Sequence, residues 1–181
     1  MDKGAFFRLA VSYLGESEVR GATPVMEALE DVAQHAVGLA LDYAQWPFAL
    51  MRTVLSLDEE GACALPADCL ELRACSLPRF EVVGRTLVNL GPKEKRVTLT
   101  YKCSALADSV CLPDSEPAFC EGCAYLLAAK AAPRLTSNFR LASDLEARGY
   151  AMLYRAKLKA TRSLASNDQE PCEIGRRAWH G

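Results

Sequence analysis

The sequence predicts an α+β fold that is mainly α: a helical bundle with a small antiparallel β lobe inserted into it. Apolar side chains recur with the period of a helix in residues 1–50 and 104–165, but alternate with the period of a strand in residues 51–103. Residues 166–181 are mostly polar and are predicted to be an extended tail. A chain of 181 residues is long enough for one hydrophobic core, since it buries about 70% of its unfolded surface.

Two helices are predicted before the β lobe. Phe6 to Leu14 form a short amphipathic segment that Gly15 ends. Thr23 and Pro24 predict the start of a long helix, with Thr23 as N-cap and Pro24 at the first helical position. Its apolar stripe consists of Val25, Leu29, Val32, Ala36, Ala40 and Tyr43. We expect this helix to end before Trp46-Pro47, because proline disfavours helical geometry in the residue ahead of it.

The β lobe is predicted from alternating side chains and from one turn. The strand residues are Thr53, Leu55 and Leu57, then Leu70 and Leu72, then Phe80–Val83 and Thr86–Val88, and finally Val97–Tyr101. Gly84 and Arg85 separate two of these strands. Glycine at the first turn position is what a type II′ hairpin turn requires.

The helical period returns after Pro113. The apolar residues of this helix cover more than one face, which predicts that it is largely buried. They are Phe119, Cys120, Cys123, Ala124, Leu127, Ala131 and Leu135. Thr136-Ser137-Asn138 ends the helix and offers a cap for the last one, which is predicted from Phe139 to about Leu164.

Cys120 and Cys123 form a Cys-x-x-Cys motif with two open interpretations. Their position inside a helix, three residues apart, favours core packing, because a redox pair needs its first cysteine at a helix N-terminus. Zinc needs four ligands, usually in two close pairs, and Cys63, Cys69 and Cys75 are six residues apart. A zinc or thiol protein centred on Cys120 and Cys123 remains an alternative.

The sequence predicts no enzyme, no cofactor and no metal. A nucleophilic active site commonly needs a histidine as general base, and the chain has only two, His35 and His180, both poorly placed for that role. The sequence also contains no glycine-rich phosphate loop. It also has no apolar run of the roughly 20 residues that span a membrane. Without a recognisable secretory segment, we expect the chain to be made and kept in the cytoplasm at least initially.

Basic residues concentrate near the C-terminus, although the whole chain has a net charge of −2. Arg148, Arg155, Lys159 and Arg162 are spaced seven, four and three residues apart, which places them on one side of the last helix. This basic stripe is either a solvated face or a contact for a negatively charged partner or passing DNA. A helical nucleic-acid-binding module is therefore a second alternative.

The tail carries residue types that anchor interfaces: Arg176, Arg177 and Trp179. The competing interpretation is an ordinary disordered terminus.

The order of these motifs resembles phage head-to-tail connector (adaptor) proteins of the tail tubular protein A type. The resemblance opens with Leu14-Gly15, the long helix and Gln45-Trp46-Pro47-Phe48-Ala49. It continues with Leu65-Pro66-Ala67-Asp68 at the start of the β lobe, and with Leu112-Pro113 leading into an alanine-rich helix. A long charged helix from Asn138 completes a likeness that covers roughly residues 5–165.

This resemblance implies a structural protein of the virion, located at the head–tail junction. Such proteins assemble as a ring, commonly of twelve copies, beneath the portal protein, and DNA passes through the lumen. Residues 171–181, with Arg176, Arg177 and Trp179, would grip the portal. Residues 51–103 would face the next tail component, a nozzle or tail-completion protein, and the basic stripe would face the channel or a partner.

Overall fold

The structure is a computed structural model that describes residues 1–15 and 22–167. Its fold is α+β and mainly α, as predicted. The described residues divide into two compact units, one formed by residues 1–15, 22–47 and 112–167, and one formed by residues 48–111. The second unit is wider than the predicted β lobe, because it also contains a short helix that the sequence pattern did not reveal.

The helical unit consists of four α-helices in the described residues: α1 (Lys3–Leu14), α2 (Ala22–Tyr43), α4 (Pro117–Thr136) and α5 (Phe139–Asn167). The short helix of the other unit, α3, spans Ala105–Ser109. Helix α4 packs against α1, α2 and α5, and eleven of its residues are buried. Its near-continuous apolar sequence is explained by this central position, because it must bury more than one face.

The helix ends follow from local hydrogen bonding. The Asp2 carboxylate accepts from the Ala5 N–H at 2.8 Å and caps α1. Asn138 caps α5 as predicted, its side-chain oxygen accepting from the Leu141 N–H at 2.9 Å. The prediction that Thr23 caps α2 is wrong, because the helix already begins at Ala22. A first helical turn accommodates Pro24 since its N–H groups have no intrahelical acceptor.

Helices α4 and α5 approach each other closely at two glycines. A methyl group on Gly122 would lie 2.7 Å from Leu153 Cδ2 and 3.3 Å from the Gly149 carbonyl oxygen. A methyl group on Gly149 would lie 3.1 Å from Leu126 and 3.3 Å from the Gly122 carbonyl oxygen. The two backbones are in contact here, so neither position has room for a side chain.

The β unit contains two three-stranded antiparallel sheets. Their strand orders are β1-β6-β3, formed by Leu50–Ser56, Arg96–Cys103 and Cys69–Cys75, and β2-β5-β4, formed by Ala62–Ala64, Thr86–Asn89 and Phe80–Val83. Buried side chains from both sheets form one apolar cluster, which includes Leu87, Val97, Leu99 and Tyr101. The unit thus has its own core.

The predicted hairpin is confirmed, with β4 paired to β5 across Gly84-Arg85. Gly84 has a φ of 62°, a left-handed conformation that glycine adopts without steric cost. Leu72 packs against this apolar cluster, whereas Leu70, predicted to alternate with polar residues along the same strand, is 52% exposed. A register irregularity between Cys69 and Glu71 turns it outward.

Candidate partner-binding surface

The basic stripe lies on the exposed side of α5. Arg148, Arg155, Lys159 and Arg162 are all exposed, as their spacing predicted. The three arginines recur every seven residues, so the first and last are about 21 Å apart along the helix axis. The three arginines are therefore far enough apart to contact several negatively charged groups of one partner at the same time.

Lys159 differs from the arginines because it already has an acidic partner. Its Nζ lies 3.0 Å from Glu116 Oε2 and donates to the Ser115 carbonyl oxygen at 3.4 Å. Within the described part of the chain, Arg148 and Arg162 have no ion pair, and Arg155 contacts only the Met152 sulfur at 3.7 Å. Three of the four predicted cations therefore keep their charge for an outside partner.

An apolar strip accompanies the arginines on α5. Tyr154 is 52% exposed and Leu158 is 44% exposed, and Ala147 and Ala151 continue the strip toward the N-terminus of the helix. These residues are spaced four, three and four apart, the spacing of a helix–helix seam. The sequence contains this spacing, but the same helix also has a more apolar side that packs into the core, with Leu145, Leu153 and Ala156. Only that more apolar side was recognised from the sequence.

Cys120 and Cys123 are buried in α4. The Cys120 thiol donates to the Pro113 carbonyl oxygen at 3.2 Å. Burial raises the pKa of Cys120 to about 11, and it raises the pKa of Cys123 well above its usual range. Across residues 1–15 and 22–167, no group of three or more His, Cys, Asp or Glu side chains is placed to hold a metal ion.

Native alkylation distinguishes these buried thiols from exposed ones. With iodoacetamide at pH 8, Cys111, which is exposed, is expected to react before Cys120 and Cys123, because these two thiols are buried and protonated at that pH. Peptide mapping by mass spectrometry measures each site, and alkylation after denaturation is the control. Equal labelling of Cys120 and Cys111 in the native protein would contradict this assignment.

Trp46, from the Trp-Pro-Phe-Ala junction, is a core residue of the helical unit. Its side chain is 1% exposed, and its Nε1–H donates to the Ala40 carbonyl oxygen at 2.8 Å. The indole meets the Phe119 ring edge-on, with the ring centroids 5.0 Å apart. The indole thus fixes the end of α2 against the central helix α4.

The Leu-Pro-Ala-Asp motif has a structural role in the β unit. The Asp68 carboxylate accepts from the Tyr101 hydroxyl at 3.1 Å and from the Cys103 thiol at 3.4 Å. The Arg85 guanidinium donates to the carbonyl oxygens of Pro66 and Ala67. Burial and the Asp68 hydrogen bond raise the pKa of Tyr101. This network joins the start of β3 to the end of β6.

The chain matches no protein-family model and no curated protein. The tail residues Arg176, Arg177 and Trp179 lie outside the described residues, as does His180. None of the helices in the described segments is long and apolar enough to cross a lipid bilayer.

Proposed function

We propose that this chain is a non-enzymatic head-to-tail connector subunit of a tailed bacteriophage or a phage-like particle. It works as one copy of a ring, twelve copies being the expected number, between the portal protein and the tail. The observation that carries this proposal is the architecture: a helical unit built from both ends of the chain, with a separately compact β unit inserted after the Trp46-Pro47 junction. This order agrees with the resemblance drawn from the sequence.

A chain of two compact units suits a connector, because each unit offers its own surfaces to a different neighbour. In the proposed particle, the β unit contacts the nozzle or tail-completion protein. The helical unit contributes to the ring, and residues 171–181 bind the portal. Weak contacts of equivalent subunits to one portal then add through multivalency.

The exposed arginines of α5 also give the proposed ring a place for passing DNA. Contacts from arginine to phosphate are independent of base sequence and weaken as salt rises. Of the four residues of the basic stripe, Arg148, Arg155 and Arg162 have no acidic partner in the described residues. We therefore expect the isolated chain to bind duplex DNA weakly, whereas a dedicated nucleic-acid-binding module would bind it strongly.

The C-terminal segment provides the test of portal binding. Deleting residues 171–181 is expected to leave a folded chain that no longer joins portals, because the arginine and tryptophan anchors are lost. Co-sedimentation with purified portal measures joining, and circular dichroism measures folding. Replacing the same eleven residues by a Gly/Ser segment of equal length is the matched control for length, and it is expected to fail equally. Undiminished joining by either variant would count against the proposal.

A further inference from the structure

The apolar strip of α5 lies opposite the side of the helix that packs into the core. Its members are all exposed, and they are Ala147, Ala151, Tyr154 and Leu158. Their spacings of four, three and four residues are those by which one helix packs along another. The ends of the strip are eleven residues apart, which corresponds to about 17 Å along the helix axis. The strip is therefore long enough to pair with about three turns of another helix.

Positive side chains border the strip on both sides. Arg148, Arg155 and Arg162 repeat every seven residues and all lie along one edge. Lys157 lies along the other edge, is exposed, and has its Nζ 6.0 Å from the centroid of the Tyr43 ring. In helices that pair side by side, these flanking positions carry the charges that decide which partner fits.

Acidic side chains on the arginine edge do not balance the positive ones. Its exposed charged residues are four arginines and one aspartate, with a net charge of +3: Arg140, Asp144, Arg148, Arg155 and Arg162. Glu146 pairs with Lys130 at 2.9 Å and Lys159 pairs with Glu116 at 3.0 Å, so neither pair alters this sum. A partner that covers the strip must therefore bring negative charge of its own.

These charges oppose a second α5 helix as the partner. Two antiparallel α5 helices would bring their equivalent edges together and place arginine against arginine. Two parallel α5 helices would bring opposite edges together and place the arginines against Lys157. Like charges face each other in both orientations, which is unfavourable. The strip therefore suits a helix of different sequence.

We propose that the exposed side of α5 binds an acidic amphipathic helix of another protein. The apolar residues of that helix cover the strip, and its carboxylates, repeated every seven residues like the arginines, face them. Ala147 and Ala151 allow a close approach of the two helices, while Tyr154 and Leu158 supply the larger apolar side chains. The occupant is thus specified by its apolar spacing and by the sign of its charge.

Nucleic acid is a poorer occupant of this surface. The phosphates of a duplex would satisfy the arginines but leave Tyr154 and Leu158 in water, whereas a helix covers both features at once. The inference goes beyond the proposed function, because it names the chemistry of a partner of the helical unit and does not depend on a portal. In the proposed ring, the arginines of one copy contact either this helix or passing DNA.

A designed acidic helix tests this proposal with the full chain. The probe is a fluorescent peptide of three heptads, with leucine at the two seam positions of each heptad and glutamate at the two flanking positions, so that repulsion between its glutamates opposes self-pairing. Fluorescence anisotropy is expected to show binding at least about tenfold tighter than that of a scrambled peptide of the same composition, which keeps the charge and loses the apolar seam. Binding is expected to weaken as sodium chloride rises, because salt screens exposed ion pairs.

Variants of α5 locate the binding surface. R148Q/R155Q/R162Q is expected to lose about tenfold in affinity for the peptide, because three exposed ion pairs are lost together. Y154A/L158A is expected to lose about as much, since the strip loses its larger side chains. The matched control K93Q/K95Q/R96Q removes three exposed positive charges from the β unit and is expected to bind like the wild type. Circular dichroism verifies that each variant is folded.

Several outcomes would overturn the proposal. Equal binding of the two peptides, or undiminished peptide binding by either α5 variant, would show that the strip and its arginines do not bind a helix. Duplex DNA that binds more tightly than the peptide, and loses that binding in the arginine variant, would assign the surface to nucleic acid. Self-association of the wild-type chain that the arginine variant abolishes, measured by sedimentation velocity, would assign it to a second copy.

Discussion

Trp46→Ala is expected to lower the free energy of unfolding by about 3–5 kcal/mol, the range for removal of a large buried aromatic side chain. The substitution leaves a cavity beside Phe119, whose ring lies 5.0 Å from the indole. It also leaves the Ala40 carbonyl without the donor that now lies at 2.8 Å. Because a domain is stable by only about 5–15 kcal/mol, we expect a largely unfolded helical unit near 37 °C. Urea titration followed by circular dichroism measures the loss.

Trp46→Phe is the matched control for this change. Phenylalanine keeps an aromatic ring against Phe119 and loses only the hydrogen bond and part of the volume, so its expected cost is smaller, about 1–2 kcal/mol. Equal stability of the alanine variant and the wild type would mean that the Trp-Pro junction does not hold α2 against α4.

Gly122→Ala is expected to lower the free energy of unfolding by about 1–3 kcal/mol, the usual cost of overpacking a core. The added methyl group would meet Leu153 Cδ2 at 2.7 Å and Cγ at 2.8 Å, and Leu153 is fully buried. It also meets the Gly149 carbonyl oxygen at 3.3 Å. Helices α4 and α5 must therefore move apart, which loosens contacts along both. Thermal and urea unfolding of the purified variant measure this cost.

Gly38→Ala is the matched control, because it makes the same chemical change at a helical glycine with nothing within 4 Å. Alanine has the higher helix propensity, so this variant is expected to gain up to about 1 kcal/mol. The change in the free energy of unfolding is thus expected to have opposite signs in the two variants. This difference reports the close contact between α4 and α5 at Gly122. A stabilised Gly122→Ala variant would show that the two helices do not approach as closely as described.

Local sequence pattern was sufficient for the elements that local chemistry determines. The three-to-four-residue period predicted α2, and the Asn138 cap predicted where α5 begins. The Gly84-Arg85 turn predicted the hairpin and its strand pairing. In each case the signal lies within a few residues of the feature, so no knowledge of tertiary contacts was needed.

Features that depend on distant partners were not predictable. The outward turn of Leu70 arises from a register irregularity against β6, which alternation along a single strand does not reveal. The contact of Gly122 with Leu153 depends on how α4 and α5 cross. The Asp68 bond to Tyr101 joins residues 33 positions apart. Such contacts depend on how the elements pack in three dimensions. The periodicity of the sequence carries no information about that packing.

The candidate surface was predicted in part. Helical spacing placed Arg148, Arg155 and Arg162 on one side of α5, and their exposure agrees with that prediction. The neutralisation of Lys159 was not foreseen, because Glu116 is 43 residues away in the sequence.

Electron microscopy of the purified portal protein, with and without this chain, tests the connector role most directly. We expect the chain to add a ring of density beneath the portal. This ring should have an open central channel and as many copies around the axis as the portal has. Portal particles that look the same in both samples, at saturating concentrations of a folded chain, would contradict it.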